Sequence, residues 1–239
     1  MTNNKILKTI IWITIFSIAM AYMESAIVVY LRALYFPEGF AFPLKMVEKN
    51  IIVTEFFREI ATVIMLAGAG ILAGRKGIEK FAFFIYSFAV WDIFYYVFLK
   101  VLLNWPESFL TWDILFLVPL TWVGPVIAPI INSLTMILLA GCIVFFTEKK
   151  KAVNVGRIEW TLLITGSLVV IFSYTEEYMR YMLTGYSMTE LIGITNSNEI
   201  MKYACTYVPR HFNWYIFGGG EVMHLAAIFI FCRKMIRNI

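Results

Sequence analysis

Long apolar runs, each about the length of a bilayer crossing, alternate along this chain with short charged breaks. A helix crosses the hydrocarbon core of a membrane in about 20 residues. Six runs reach that length: Ile10–Leu31, Ile52–Gly74, Phe81–Leu103, Val123–Phe146, Trp160–Met182 and Asn213–Cys232. The pattern predicts an all-α integral membrane protein, with residues 1–239 forming a single polytopic domain of six transmembrane helices. The first run follows Lys5 and Lys8, as the apolar stretch of a signal peptide would. It continues through "SAIVVYL" without a small-residue cleavage site, so it is read as a retained anchor.

The breaks between runs differ on the two sides. The N-terminus (Lys5, Lys8), "GRKGIEK" (Arg75, Lys76, Lys80), "EKKKAVNVGR" (Lys149, Lys150, Lys151, Arg157) and the tail (Arg233, Lys234, Arg237) all fall on one side of six crossings. Basic residues mark the cytoplasmic side, which puts both termini there. The expected location is the cytoplasmic (inner) membrane of a prokaryote. The opposite breaks are longer. "RALYFPEGFAFPLKMVEKN" is interrupted by Pro37, Gly39 and Pro43, and a polar segment from about Leu183 to His211 precedes the last span. "NWPESFLTWDILFLVPLTWVGP" is too apolar for a solvated loop, and Pro106, Pro119 and Pro125 interrupt it too often for a span. It is expected to form a short re-entrant or interfacial helix on the outer side between spans three and four, with Trp105, Trp112 and Trp122 near the interface. No clear symmetry relates the two three-helix halves.

Composition agrees with a bilayer as the principal partner. The chain is 61% hydrophobic and 15% charged, more apolar and less charged than soluble domains, with a mean hydropathy of +0.77. The net charge of +4 is small and gathered at the basic breaks, which suits membrane orientation and not nucleic-acid binding. Cys142 and Cys232 fall in or beside apolar runs and Cys205 in a polar segment, which gives no disulfide framework.

The informative residues are acids inside the runs, since each costs about 2.5–3.5 kcal/mol near the bilayer centre on insertion scales. At a rise of about 1.5 Å per residue, Asp92 and His224 fall near the midplane and Glu221 within roughly 5 Å of it. Glu24 and Glu59 lie about 5–6 Å outward, and Glu55, Glu176 and Glu177 about 10–12 Å outward. None falls in the inner half. Glu55 can pair with Arg58 at i+3 and Glu176 with Arg180 at i+4, as supporting ion pairs at helix ends. Glu24, Glu59, Asp92, Glu177 and Glu221 remain, with His224 the only other titratable group at their depth. These six are the candidate cation- or proton-binding residues. Two unit charges about 4 Å apart repel by about 4 kcal/mol at an effective dielectric constant of 20. Such a group therefore needs bound protons, arginines from other helices, or a bound cation.

Glu221 and His224 share a helix face, an arrangement used by carboxylate metal sites in helix bundles. With Glu24, Glu59 and Asp92 they make an oxygen-rich ligand set suited to manganese, iron, magnesium or calcium, or to zinc through the imidazole. A haem with two axial histidines is not expected, because His211 lies at the membrane edge. The chain carries no P-loop, dinucleotide fingerprint, HExxH or G-x-S-x-G motif, so no nucleotide is expected either. "GGG" at Gly218–Gly220 is read as allowing a close helix contact or a local kink.

The sequence therefore points to a carrier or channel with an outward-facing intramembrane carboxylate/His site for a proton or divalent metal ion. One alternative is a membrane-embedded metal-dependent enzyme acting on a lipid or quinone-like substrate. Another is a non-catalytic subunit whose buried charges pair with a partner protein. The scarcity of ionisable residues in the cytoplasmic halves favours an outward-open pocket over a continuous ion path.

Overall fold

Ser17, Ala21 and Ser25 recur every four residues in the first apolar run, so they stack on one face of a helix. In the computed structural model, which describes residues 3–117, 120–149, 153–192 and 197–237, all three are fully buried. Their small side chains let α1 (Asn3–Tyr35) lie close against α3 (Gly77–Leu103), as small residues do at membrane helix contacts. Hydroxyls stitch the seam. Ser17 bonds Ser87 at 2.8 Å, Thr14 bonds the Tyr86 hydroxyl at 2.8 Å, and Ser25 donates to the Tyr95 carbonyl at 3.1 Å.

The other elements are α2 (Lys49–Ala73), β1 (Trp112–Phe116), β2 (Trp122–Pro125), α4 (Ile127–Lys149), α5 (Arg157–Gly185), the short α6 (Met188–Ile192) and α7 (Ser197–Ala204), and α8 (Trp214–Arg237). Among the described residues, six helices are long and apolar enough to cross a membrane: α1, α2, α3, α4, α5 and α8. They match the six runs of the sequence; α1 and α5 extend beyond their runs at both ends, and the other four at one end. The protein is polytopic by length and composition. Lys150 and Lys151 lie outside the described residues.

α3 is the central post. It packs on α1, α2 and α4, while α8 packs on α5 and α4. Between α3, α4, α5 and α8 a core of Ala82, Ile143, Phe146, Leu163 and Phe231 fills the end that carries the short connections. At the other end a second cluster joins Tyr174, Phe212 and Phe217 to Trp112 and Trp122.

One element departs from expectation. The segment between α3 and α4, expected as a short helix, is a two-stranded antiparallel hairpin. Trp112 pairs with Pro125, Asp113 with Gly124, Ile114 with Val123 and Phe116 with Trp122 across an irregularity in β1. α3 stops at Asn104, which takes the left-handed conformation (φ 53°) that Asn tolerates. Trp112, Ile114, Phe116, Trp122 and Val123 are the aromatic and β-branched types that suit strands. Pairing also satisfies their backbone groups within the hairpin, as a helix would have done. Pro119 lies outside the described residues. Pro125 ends β2, and Pro129 falls in the first turn of α4, where its missing N–H breaks no helical hydrogen bond.

Candidate functional site

The hairpin, α1, α2 and α3 surround a cavity of about 550 Å³, completed by residues of α5, α6, α7 and the 36–48 connection. α1, α2, α3 and α5 contribute the halves that lead into the long connections, which meet at one end of the bundle. The deep part of the wall carries Glu24 of α1, Glu59 and Thr62 of α2, and Trp91 and Asp92 of α3. Towards the connections the wall becomes apolar and aromatic, with Phe36, Phe40, Ile51, Ile52, Leu115 and Met201. Along α1 from Glu24 to Phe36 the cavity wall runs about 18 Å at the helical rise.

Arg58 is the hub of one side. Its Nη1 donates to Glu24 Oε1, and its Nε donates to Glu55 Oε2 at 2.7 Å. The i,i+3 pair expected on α2 is therefore present, and the same guanidinium also reaches α1. Thr62 adds a hydrogen bond to Glu24 Oε2 at 3.3 Å. Glu24, which has no basic neighbour on its own helix, obtains one from the next.

Glu59 and Asp92 are provided for differently. Glu59 Oε2 accepts the Leu117 backbone N–H at 2.8 Å, and Asp92 Oδ2 accepts the Ser133 hydroxyl at 2.8 Å. Neither is in an ion pair among the described residues. Arg58 acts on Glu59 at longer range, opposed there by Glu24 and Glu55. The charge that acts on Asp92 is another acid, Asp113.

Asp113 and Arg32 were missing from the sequence-derived candidates. Arg32 Nη2 lies 3.8 Å from Asp113 Oδ1, and the Tyr96 hydroxyl donates to Asp113 Oδ2 at 3.2 Å. The guanidinium carbon is 3.9 Å from the Trp105 ring centroid and 4.6 Å from that of Phe40, within cation–π range of both. Burial pushes the Asp113 carboxyl up from 3.8 to about 6, against the pull of Arg32 and the Tyr96 hydrogen bond.

The remaining candidates lie elsewhere. Glu221 and His224 share a face of α8, as their spacing requires, with His224 Nδ1 3.4 Å from Glu221 Oε1. That face meets α4 and α5 and does not contribute to the cavity wall. Thr135 donates to Glu221 Oε2 at 2.7 Å, and Ser167 lies 3.3 Å from His224 Nε2. The close approach has a specific cause: a Cβ on Gly166 would stand 2.7 Å from His224 Cδ2, and one on Gly220 would stand 2.8 Å from the Gly166 carbonyl oxygen. Glu177 accepts the Tyr207 hydroxyl at 2.9 Å and the backbone N–H groups of Arg210 and His211 at 3.0 and 2.9 Å. It fastens the chain that leads into α8. Glu176 and Arg180 form the expected pair, with Arg180 exposed, so it contributes little.

The six residues read as one cation- or proton-binding group are thus distributed over three places. Glu24, Glu59 and Asp92 face the cavity, Glu221 and His224 fill the α4–α5–α8 contact, and Glu177 anchors a connection. Helical spacing fixes which residues share a face, but packing decides what that face meets. Among the described residues, no three His, Cys, Asp or Glu side chains converge as a metal-ligand group, so the proposed ligand set of Glu24, Glu59, Asp92, Glu221 and His224 is not assembled. Comparison with protein families, with curated proteins and with solved structures finds no match to this chain.

Proposed function

We propose that the protein is a membrane carrier that takes up a cation in the cavity bounded by α1, α2, α3 and the β1–β2 hairpin. The observation that carries this reading is the charge balance of the wall. Glu24, Glu55, Glu59, Asp92 and Asp113 face it with Arg32, Arg58 and Lys45. Both arginines are already engaged by Glu24, Glu55 and Asp113, and Lys45 is exposed beside the Phe36 ring. Glu59 and Asp92 are left with neutral hydrogen-bond donors, which stabilise a carboxylate less than a cation does. A bound cation supplies what these two lack.

The basic breaks lie at the end of the bundle away from the cavity, so the positive-inside rule directs the cavity away from the cytoplasm and leaves both termini cytoplasmic. Loading from outside follows from that orientation. A bare divalent ion fits less well than a larger cation, because the volume is that of a small-molecule site and no convergent ligand group stands on the wall among the described residues.

The test is a thermal-shift panel on full-length protein in lipid nanodiscs, with magnesium, manganese, ammonium, methylammonium, choline and octylammonium. At least one should raise the unfolding temperature of the wild type and leave Glu59→Gln/Asp92→Asn unmoved. Proteoliposomes should then accumulate that cation. No shift with any of them, an equal shift in the double variant, or no uptake would overturn the carrier reading.

A further inference from the structure

We infer that the last turns of α8 bind an anionic phospholipid, drawn from the leaflet at the basic end of the bundle. Phe229, Ile230, Arg233, Lys234 and Arg237 line a surface hollow of about 500 Å³ that shares no residue with the cavity. Phe229, Arg233 and Arg237 follow one another at i+4, so they stand on one face of the helix. The opposite face is packed, with Phe231 and Met235 buried. Along the open face the order is apolar, then basic, then basic, over about 12 Å from Phe229 to Arg237. The interfacial layer of a bilayer is about 5–7 Å deep on each side. A face of this length therefore reaches from the headgroups into the hydrocarbon.

The charge on that face is unmatched. Lys234 pairs with Glu159 of α5, which ties α8 to the start of that helix. Among the described residues, neither Arg233 nor Arg237 is in an ion pair, and both are exposed. The C-terminus of a helix carries about half a negative charge, which leaves most of the two guanidinium charges without a partner. A phosphate accepts several charge-assisted hydrogen bonds from guanidinium groups. The apolar tier decides where that phosphate comes from. Phe229 is 65% exposed and stands about two turns deeper than Arg237, where a soluble anion or an acidic protein segment does not reach. A lipid fills both tiers at once, its phosphate at the arginines and its acyl chain against Phe229 and Ile230. Basic recesses of membrane helices suit such headgroups.

The experiment is native mass spectrometry of full-length, delipidated protein in a neutral detergent. The probes are dioleoylphosphatidylglycerol, dioleoylphosphatidylcholine and inorganic phosphate. The first phosphatidylglycerol should bind saturably and about tenfold more tightly than phosphatidylcholine, and phosphate should not displace it. Arg233→Gln and Arg237→Gln should each weaken it by about fivefold and leave phosphatidylcholine unmoved. Lys5→Gln/Lys8→Gln removes two charges from the same end of the bundle and should leave the first binding event unchanged. Glu59→Gln/Asp92→Asn should also bind this lipid as the wild type does, so the result is independent of the carrier test. Equal binding of the two lipids would show that the headgroup charge is not read. An equal loss in Lys5→Gln/Lys8→Gln would show diffuse attraction to the basic end in place of a site. Displacement by phosphate would make the occupant a soluble anion. Any of these overturns the assignment, as does unchanged binding in both arginine variants. If one arginine variant does not fold, the other still decides.

Discussion

Arg32 of α1 is paired with Asp113 of β1 across 3.8 Å. The contact ties the first span to the hairpin, and the Phe40 and Trp105 rings on the same guanidinium add the 36–48 connection and the end of α3. Four separate pieces of chain therefore meet on one side chain.

Replacing Arg32 by Gln leaves Asp113 buried without a cation. Breaking one partner out of a buried pair costs about 3–5 kcal/mol, so the variant should unfold that much more easily in a mixed-micelle denaturation series at pH 7. Arg32→Met combined with Asp113→Leu removes both charges and should regain most of the loss.

The Asp113 carboxyl also sets a pH dependence. Its native value of about 6 stands above the 3.8 of a solvated aspartate. Between about pH 4 and 6 the native protein holds a proton that the unfolded chain has released, so this group's contribution is complete below pH 4 and is lost as pH rises through 6. Denaturation midpoints of the wild type and Asp113→Asn, compared from pH 4 to 7, should converge on the acid side and separate above pH 6.

The three consecutive glycines of α8 should behave unequally. A Cβ at Gly220 meets Val170 Cγ2 at 2.6 Å and the Gly166 carbonyl oxygen at 2.8 Å, whereas Gly218 and Gly219 have nothing within 4 Å. Gly220→Ala should lose about 1–3 kcal/mol by forcing α5 and α8 apart. Gly218→Ala and Gly219→Ala should be neutral or gain about 0.5–1 kcal/mol from a stiffer unfolded chain. The same denaturation series measures all three.

Thr135 is the hydroxyl that satisfies Glu221. Thr135→Val keeps the shape and removes the donor, with an expected loss of about 1–3 kcal/mol. Thr135→Ser should restore it. Equal stability of the Val and Ser variants would show that the hydrogen bond contributes nothing.

The six long helices were legible because bilayer solvation imposes one length and one kind of residue. The placement of Glu24, Glu59 and Asp92 towards a single end was legible from depth along each run. Their distribution was not. Whether the Glu221–His224 face of α8 looks at the cavity or at α5 depends on the Gly166/Gly220 approach, which involves two distant helices. Arg58 reaching Glu24 is likewise a contact between neighbouring spans, invisible to an i,i+3 or i,i+4 search. The hairpin left a clearer trace. "TWDILF" and "TWVGP" each carry strand-favouring residues, with a proline between them. Their overall apolarity, read against a membrane, suggested a helix.

α2 has only Thr62, Leu66 and Gly70 buried, all in its C-terminal half, and it leaves Val53, Phe57, Ile64 and Met65 exposed. On its opposite side stand Glu55, Arg58 and Glu59. The partition between surrounding acyl chains and the charged floor is thus a single helix thick. Any displacement of α2 therefore carries Glu55, Arg58 and Glu59 with it, so one wall of the cavity moves whenever this helix does.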